Sequence, residues 1–161
     1  MANLDRQTYK SSWNPNVAEM VLKFDDNSGA GAAGTYEASI KVPAGAYILD
    51  VIVVGVVVWN AGTSATLIVG DADDDNLYYT GVNASATDLV AGEILSFGHD
   101  GGKKGVGNTD DNGLVGSYQS AIRQVTCKMT LVGTAATTGE TRIVVIWAKP
   151  TDSVSSSFTA A

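Results

Sequence analysis

The sequence has few of the residues that build disulfide or metal-bound frameworks. It contains one cysteine, Cys127, and one histidine, His99, among 161 residues. A single thiol can form neither an internal disulfide framework nor a structural zinc site, which takes four ligands. Cys127 lies in a segment that alternates polar and apolar residues, so we expect it to pack in a core as a small hydrophobic side chain. No cofactor is indicated.

Positive charge is also scarce. The chain has 10 Lys and Arg against 17 Asp and Glu, which gives a net charge of -7 at pH 7. The basic residues are scattered singly, apart from Lys103 and Lys104, whereas a surface that binds phosphate groups needs clustered Lys and Arg. The charge pattern therefore argues against direct binding to nucleic acid and to an anionic membrane.

Long apolar runs are missing. The longest extends from Val51 to Trp59 and is interrupted only by Gly55, which is about half of the roughly 20 residues of a membrane-spanning helix. Residues 1–16 lack the hydrophobic core of a signal peptide. No window carries a convincing apolar stripe at helical spacing, although residues 115–125 could hold one helical turn. We expect neither a membrane span nor long helices.

The pattern that is present has a period of two residues. Apolar and polar residues alternate from Tyr36 to Val42 and from Gln124 to Leu131, and a shorter example runs from Met20 to Phe24. Such alternation is typical of a β-strand with one face in a core and the other in water.

Other segments are apolar throughout and rich in Val and Ile, whose branched side chains suit a pleated sheet. They are residues 48–59, 65–69 and 143–148. A strand that is apolar on both faces is expected to be covered on both, on one side by the core and on the other by a neighbouring subunit or a loop.

Short connectors with turn-forming residues separate these segments, for example Pro43–Gly45 and Asn60–Thr63. Roughly eight strands joined in this way predict an all-β sandwich or barrel. The length suits one domain. We divide the chain into an extended N-terminal arm at 1–16, a β-sandwich at 17–150 and a C-terminal tail at 151–161. A long polar segment at 97–116 is expected to be a functional or mobile loop.

One acidic turn has a spacing known from calcium loops. Asp71, Asp73 and Asp75 match the first three ligand positions of an EF-hand, but the sixth position is Asn76 instead of Gly and the twelfth is Val82. The pattern favours a solvated turn and leaves the three aspartates as weak candidates for a divalent-cation site.

Catalytic chemistry finds little support. His99 lies beside Asp100 and near Ser96, but neighbours on one Gly-rich loop do not converge as a nucleophilic triad requires. The segment 98–107 does not fit a phosphate-binding loop and is interpreted as a mobile surface loop. We expect no catalytic residues. Tyr78 and Tyr79 follow the acidic turn and are expected to be partly exposed, where they could stack on a sugar.

Three segments carry a resemblance to a known family. They are Ile40–Ala46 (IKVPAGA), which leads into the Val-rich run; Ala65–Asp71 (ATLIVGD), which precedes the acidic turn and the tyrosine pair; and Thr138–Glu140 (TGE), which precedes Ile143–Trp147. The sequence resembles a widespread family of small tailed-phage virion proteins with a V-P-A-G-A turn, a T-L-x-V-G-D strand end and a closing T-G-x-x-x-V-V-V strand. The resemblance extends over residues 36–147, apart from the loop at 97–116.

The resemblance implies a jelly-roll-like antiparallel β-sandwich that decorates or cements a capsid. It further implies a homotrimer that binds the major capsid protein on the virion surface and is assembled in the host cytoplasm. Within this scheme Leu4, Tyr9, Trp13 and Phe158 are the candidate interface anchors, because aromatic and apolar side chains dominate such contacts. A carbohydrate- or host-binding module of a virion fibre is the alternative, and a glycosidase-like enzyme with two converging carboxylates is a third hypothesis.

Overall fold

The computed structural model describes residues 15–26, 34–108 and 120–149. Within these ranges the chain forms eight β-strands and one short 3-10 turn at Val106–Asn108. The strands are β1 Asn16–Lys23, β2 Thr35–Val42, β3 Tyr47–Val57, β4 Ser64–Gly70, β5 Tyr79–Asn83, β6 Ile94–Leu95, β7 Arg123–Val132 and β8 Glu140–Ala148. Every segment with an alternating or continuous apolar pattern is therefore a strand, at least in part. The described residues contain no helix long and apolar enough to cross a bilayer.

The strands form two four-stranded antiparallel sheets. Sheet 1 has the order β1-β8-β3-β6, and sheet 2 has the order β2-β7-β4-β5. The first strand pairs with the last, the second with the seventh, the third with the sixth and the fourth with the fifth. This is the pairing of one long hairpin wound into two sheets, which is the jelly roll. The prediction of an all-β, jelly-roll-like antiparallel sandwich is confirmed.

The core lies between the two sheets and follows the alternation of the sequence. In β7 the residues Val125, Cys127, Met129 and Leu131 are buried, and the residues between them are half-buried or exposed. Each buried Val, Leu or Met side chain contributes about 1.5–3 kcal/mol relative to its exposed state. Cys127 is fully buried, so the prediction that it serves as a core hydrophobe is confirmed.

The two ends of the sandwich differ. Strands β1, β3, β5 and β7 finish at one end, here called the turn end, where Lys23 lies opposite Glu140. They begin at the other end, here called the terminal end, where Asn16 lies opposite Trp147 and Tyr47 opposite Ala148. The described chain therefore starts at Pro15 and stops at Lys149 on the same end of the molecule, next to neighbouring strands.

The turn end is closed around Trp59. Its indole Nε1 donates a hydrogen bond of 2.9 Å to the buried Thr141 hydroxyl. Gly139 has φ 154°, and a Cβ there would come within 2.4 Å of the indole ring. Trp59 is thus a core residue, 1% exposed. This end is therefore filled by packing, whereas the terminal end and the outer faces of the sheets carry the features described below.

The helical turn that residues 115–125 could hold is not present in the described part of that segment, residues 120–125. Residues 123–125 are the start of strand β7, and residues 109–119 lie outside the described ranges.

Candidate functional site

The acidic turn lies at the terminal end, between β4 and β5, and is organised by Asp71. The backbone N–H of Asp73 donates to Asp71 Oδ1 at 3.0 Å, and the N–H of Asp71 donates to the carbonyl of Asp74 at 2.8 Å. An aspartate that accepts from the N–H two residues later is the usual device for a tight polar bend. The turn is thus held by its own first carboxylate.

Asp71 also forms a buried ion pair with Arg123, the first residue of β7. Arg123 Nε lies 3.6 Å from Asp71 Oδ2, and both side chains are almost completely buried. The Arg123 guanidinium donates a hydrogen bond of 3.0 Å to the Tyr78 hydroxyl. This network ties the acidic turn to the start of β7 and to the start of β5.

Tyr78 and Tyr79 are both buried, with exposed fractions of 1% and 0%. The expectation that they are partly exposed is wrong. The Tyr79 hydroxyl donates a hydrogen bond of 2.7 Å to the carbonyl of Val51 in the opposite sheet, and both rings pack near Phe97. Sequence alone cannot separate these rings from an exposed sugar platform, because a hydrogen-bonded Tyr satisfies its polar atom in a core as well as in water.

Burial changes the acidity of both phenols. Desolvation raises the pKa of Tyr78 to about 12, although the Arg123 charge acts in the opposite direction. Burial also raises the pKa of Tyr79, with the negative charge of Asp50 adding to the effect. Both tyrosines are therefore neutral hydrogen-bond donors at physiological pH and are not poised for proton transfer.

At the candidate cation site, the first of the three aspartates, Asp71, already contacts other groups of the protein. Asp71 accepts hydrogen bonds from the turn and pairs with Arg123, whereas Asp73 and Asp75 are exposed. Among the residues that the structure describes, no group of three or more His, Cys, Asp and Glu side chains is arranged to hold a metal ion.

The Gly-rich segment packs against the acidic turn. The N–H groups of Gly105 and Gly107 donate to the carbonyls of Tyr78 and Leu77, each at 2.9 Å. A Cβ at Gly105 would come within 2.1 Å of the Asn76 carbonyl oxygen. The interpretation of residues 98–107 as a mobile loop is wrong for residues 103–107, where glycine allows two backbones to approach each other.

Two grooves adjoin this region. One, of about 280 Å³, includes Glu37, Asp75 and Lys128 in its lining. The Lys128 ammonium lies 3.6 Å from Glu37 and 3.7 Å from Asp75, so its charge is already balanced. The other, of about 270 Å³, is lined in part by Asp88 and His99.

The second groove does not assemble the His99 constellation considered from sequence. Ser96 and His99 exchange backbone hydrogen bonds of 2.9 and 3.0 Å across a tight turn. Asp88 accepts a salt bridge of 2.9 Å from Lys103. These backbone hydrogen bonds thus account for the tight turn at residues 96–99.

The four candidate interface anchors, Leu4, Tyr9, Trp13 and Phe158, lie outside the described residues. The structure shows the two points at which the segments that carry these anchors are attached. Pro15 precedes edge strand β1, and Lys149 follows β8, the strand beside it. Residues 1–14 and 150–161 are therefore attached side by side at the terminal end.

Sequence reasoning missed two features. The first is the Arg123–Asp71 pair, for which a signal existed: Arg123 has the same parity as the buried Val125 and Cys127, so its side chain had to enter the core and find a partner. The second is the contrast between the outer faces of the two sheets. The sequence indicates which strands are apolar on both faces, but only the strand pairing places two of them, β3 and β8, side by side in one sheet.

No protein-family model and no curated protein matches this sequence. Solved structures do match. A chain of the cyanophage Pam1 capsid is 17% identical with a TM-score of 0.52, over 85% of this chain and 86% of that one. A chain of the acid-stable capsid of Helicobacter pylori bacteriophage KHP30 is 15% identical with a TM-score of 0.54, over 85% and 89%. A chain of the Ralstonia phage GP4 capsid is 16% identical with a TM-score of 0.52, over 88% and 87%. The chain thus has the fold of proteins found in the capsids of three bacteriophages.

Proposed function

We propose that this chain is a structural, non-catalytic virion protein that decorates and cements a phage capsid by binding the major capsid protein. The observation that carries the proposal is the jelly-roll fold shared with chains of three phage capsids over at least 85% of this chain. At 15–17% identity these structures show only that the fold is shared. Features of this molecule support the role itself.

The arrangement of the chain ends supports this role. Residues 1–14 and 150–161 leave from neighbouring strands at the terminal end, and they contain the anchors Leu4, Tyr9, Trp13 and Phe158. Segments of this length can reach far across a partner, since an extended chain spans about 3.3 Å per residue. Two such segments leaving together can grip one shell from one side of the sandwich.

The rigidity of the terminal end also supports it. The Asp71–Arg123 pair, the buried tyrosines and the hydrogen bonds of residues 103–107 hold the connections at that end. A protein that resists the outward pressure on a shell must transmit force without unfolding locally, and buried, hydrogen-bonded connections open less readily than exposed loops.

The test is a binding assay with capsid shells assembled from the major capsid protein of the same virus. The deletion of residues 1–14 should abolish co-sedimentation with the shells, and the deletion of residues 150–161 should weaken it. Strand β1 is left intact by the first deletion because it begins at Asn16. Circular dichroism should show an unchanged β-sheet signal. Undiminished binding of the shells by both deletions, or no binding by the full chain, would contradict the proposal.

The oligomeric state that we propose is a homotrimer on the virion surface, and native mass spectrometry of the full chain tests it. The alternative, a carbohydrate-binding module of a virion fibre, loses the residues that would have carried it, because Tyr78 and Tyr79 lie in the core. A glycan array probed in the presence and absence of EDTA tests this alternative together with the cation site at Asp71, Asp73 and Asp75.

A further inference from the structure

The outer faces of the two sheets have opposite chemistry. On sheet 2 the outward residues of the central strands β7 and β4 are Gln124, Thr126, Lys128, Thr130, Val132, Ser64, Thr66 and Ile68. On sheet 1 the outward residues of the central strands β8 and β3 include Val144, Ile146, Ile52 and Val54, which are only half-buried. The first face is therefore mostly polar, and the second is mostly aliphatic.

The exposure of large apolar side chains follows the same division. Among the described residues, those on strands of sheet 1 that are exposed by 37% or more are Val17, Leu49, Val56, Val57 and Ile94. The corresponding residue on sheet 2 is Val132. Solvated apolar side chains in one contiguous area usually mark an interaction surface.

Strand register makes this area continuous. Val17 lies opposite Ile146, Ile52 lies opposite Val144, and Val54 lies opposite Ile94. The aliphatic residues thus form a diagonal band across the sheet from β1 to β6, with the charged residues Glu19, Arg142 and Asp50 beside it. The apolar face is defined here as the outward residues Val17, Ile52, Val54, Ile94, Val144 and Ile146.

Four of the five charged side chains named for this face are paired, although the whole chain carries -7. Glu19 forms a salt bridge of 3.0 Å with Arg142, and Lys23 one of 3.7 Å with Glu140. Asp50 accepts a hydrogen bond from the backbone N–H of Phe97. A second copy of the chain can approach this face with little like-charge repulsion, in contrast to an approach through the acidic turn.

The area suits such a contact. Three strands about 4.8 Å apart, each about nine residues long at roughly 3.3 Å per residue, have a flat footprint of about 430 Å². Side-chain relief and strand β6 enlarge it, so two copies bury on the order of 1,000 Å² in total, the size at which specific interfaces begin.

We infer that the apolar face of sheet 1 is the contact between copies of this chain. In a dimer two such faces stack as sheets do in a β-sandwich, about 10 Å apart, and in a trimer three of them surround the axis. The inference rests on the proposed function in assuming that the chain acts in an assembly. It adds the surface through which the copies associate.

The test compares the same substitution on the two outer faces. Ile52 and Ile68 are both half-buried, both point outward, and both lie in the third strand of their sheet. We expect Ile52→Gln and Ile94→Gln each to raise the dissociation constant for self-association about tenfold, because a polar amide is then buried against aliphatic side chains. Ile68→Gln should leave it unchanged. Sedimentation velocity of the full-length chain measures all three, and thermal denaturation checks that Ile52→Gln and Ile68→Gln are equally folded.

Each result decides the matter. A monomeric wild-type chain overturns the inference, as does an equal effect of Ile52→Gln and Ile68→Gln or the absence of any effect. If the wild-type chain is monomeric but Ile52→Gln no longer binds shells, the face belongs to the shell contact and the inference is overturned. A chain that associates through this face but does not bind shells keeps the inference and contradicts the proposed function.

Discussion

The side chain of Arg123 points inward from β7, on the same face of the strand as the apolar residues Val125 and Cys127. Its charge is accommodated because Asp71 and the Tyr78 hydroxyl lie within reach. A buried charge without a partner is far more costly than a well-packed apolar side chain. The network therefore makes the start of β7 depend on the conformation of the acidic turn, which lies far away in the sequence.

Removing one partner of this pair should be strongly destabilising. We expect Arg123→Met to lower the free energy of unfolding by about 3–5 kcal/mol, since Asp71 is then left as an uncompensated buried carboxylate. Urea denaturation measures the change. Lys128→Met in the same strand removes a partly exposed charge and should cost less than about 1 kcal/mol. Equal effects of the two substitutions would refute the importance of the buried pair.

The buried tyrosines predict that stability falls at alkaline pH. Below pH 10 both the folded and the unfolded state keep the Tyr78 proton, so the contribution of this group is constant. Between pH 10 and about 12 the unfolded state releases the proton and the folded state does not, so the free energy of unfolding decreases as the pH rises. Tyr79, whose pKa is also raised, acts in the same direction.

Denaturant midpoints measured from neutral pH to about pH 11 check this dependence. Tyr79→Phe should make the decline shallower, because one of the titrating groups is gone. It should also lower stability at neutral pH by about 1–2 kcal/mol through loss of the hydrogen bond to the Val51 carbonyl. A slope that is identical in the wild type and the variant would contradict the assignment.

At the scale of elements, the Gly-rich segment shows why composition alone was misleading. Glycines were interpreted as a source of mobility, but Gly105 and Gly107 are positions where two backbones meet through hydrogen bonds. Absence of a side chain permits both flexibility and close approach, and only the neighbouring element decides between them.

Two glycines of this segment give a matched experiment. A Cβ at Gly105 would meet the Asn76 carbonyl at 2.1 Å, whereas a Cβ at Gly98 would meet nothing within 4 Å. We expect Gly105→Ala to reduce the free energy of unfolding by about 1–3 kcal/mol through overpacking. Gly98→Ala should be neutral or stabilise by about 0.4–1 kcal/mol, because it restricts the unfolded chain. Thermal denaturation distinguishes them, and similar midpoints would contradict the close approach.

The strands themselves were predictable from sequence, and their surroundings were not. Alternation identified β2 and β7 because each has one face in the core. The pattern could not show that Tyr78 and Tyr79 point into that core, since burial there depends on Phe97 and Val51, which are distant in sequence. The candidate anchors Leu4, Tyr9, Trp13 and Phe158 stay predictions.

At the scale of the whole molecule, the jelly roll depends on pairing between the two ends of the chain. β1 lies against β8 and β2 against β7, so most of the structure cannot form until distant segments meet. The loop-closure entropy of such pairings must be overcome before the sheets gain stability. Strand identity was therefore accessible from local sequence, whereas the pairing order came through the family resemblance.

This topology predicts slow folding. We expect refolding from urea to take milliseconds to seconds or longer, as for other all-β domains with mostly non-local contacts. Stopped-flow tryptophan fluorescence, to which Trp59 contributes as it becomes buried at the turn end, reports the process. Complete refolding within microseconds would contradict a mechanism limited by long-range strand pairing.

The adjacency of Asn16 and Trp147 has a practical consequence for engineering. Two halves of a split fluorescent reporter, fused one before residue 1 and one after residue 161, would be tethered on the same pole of a single molecule. They could complement each other without any second molecule. The opposite pole, closed around Trp59, would carry neither attachment point.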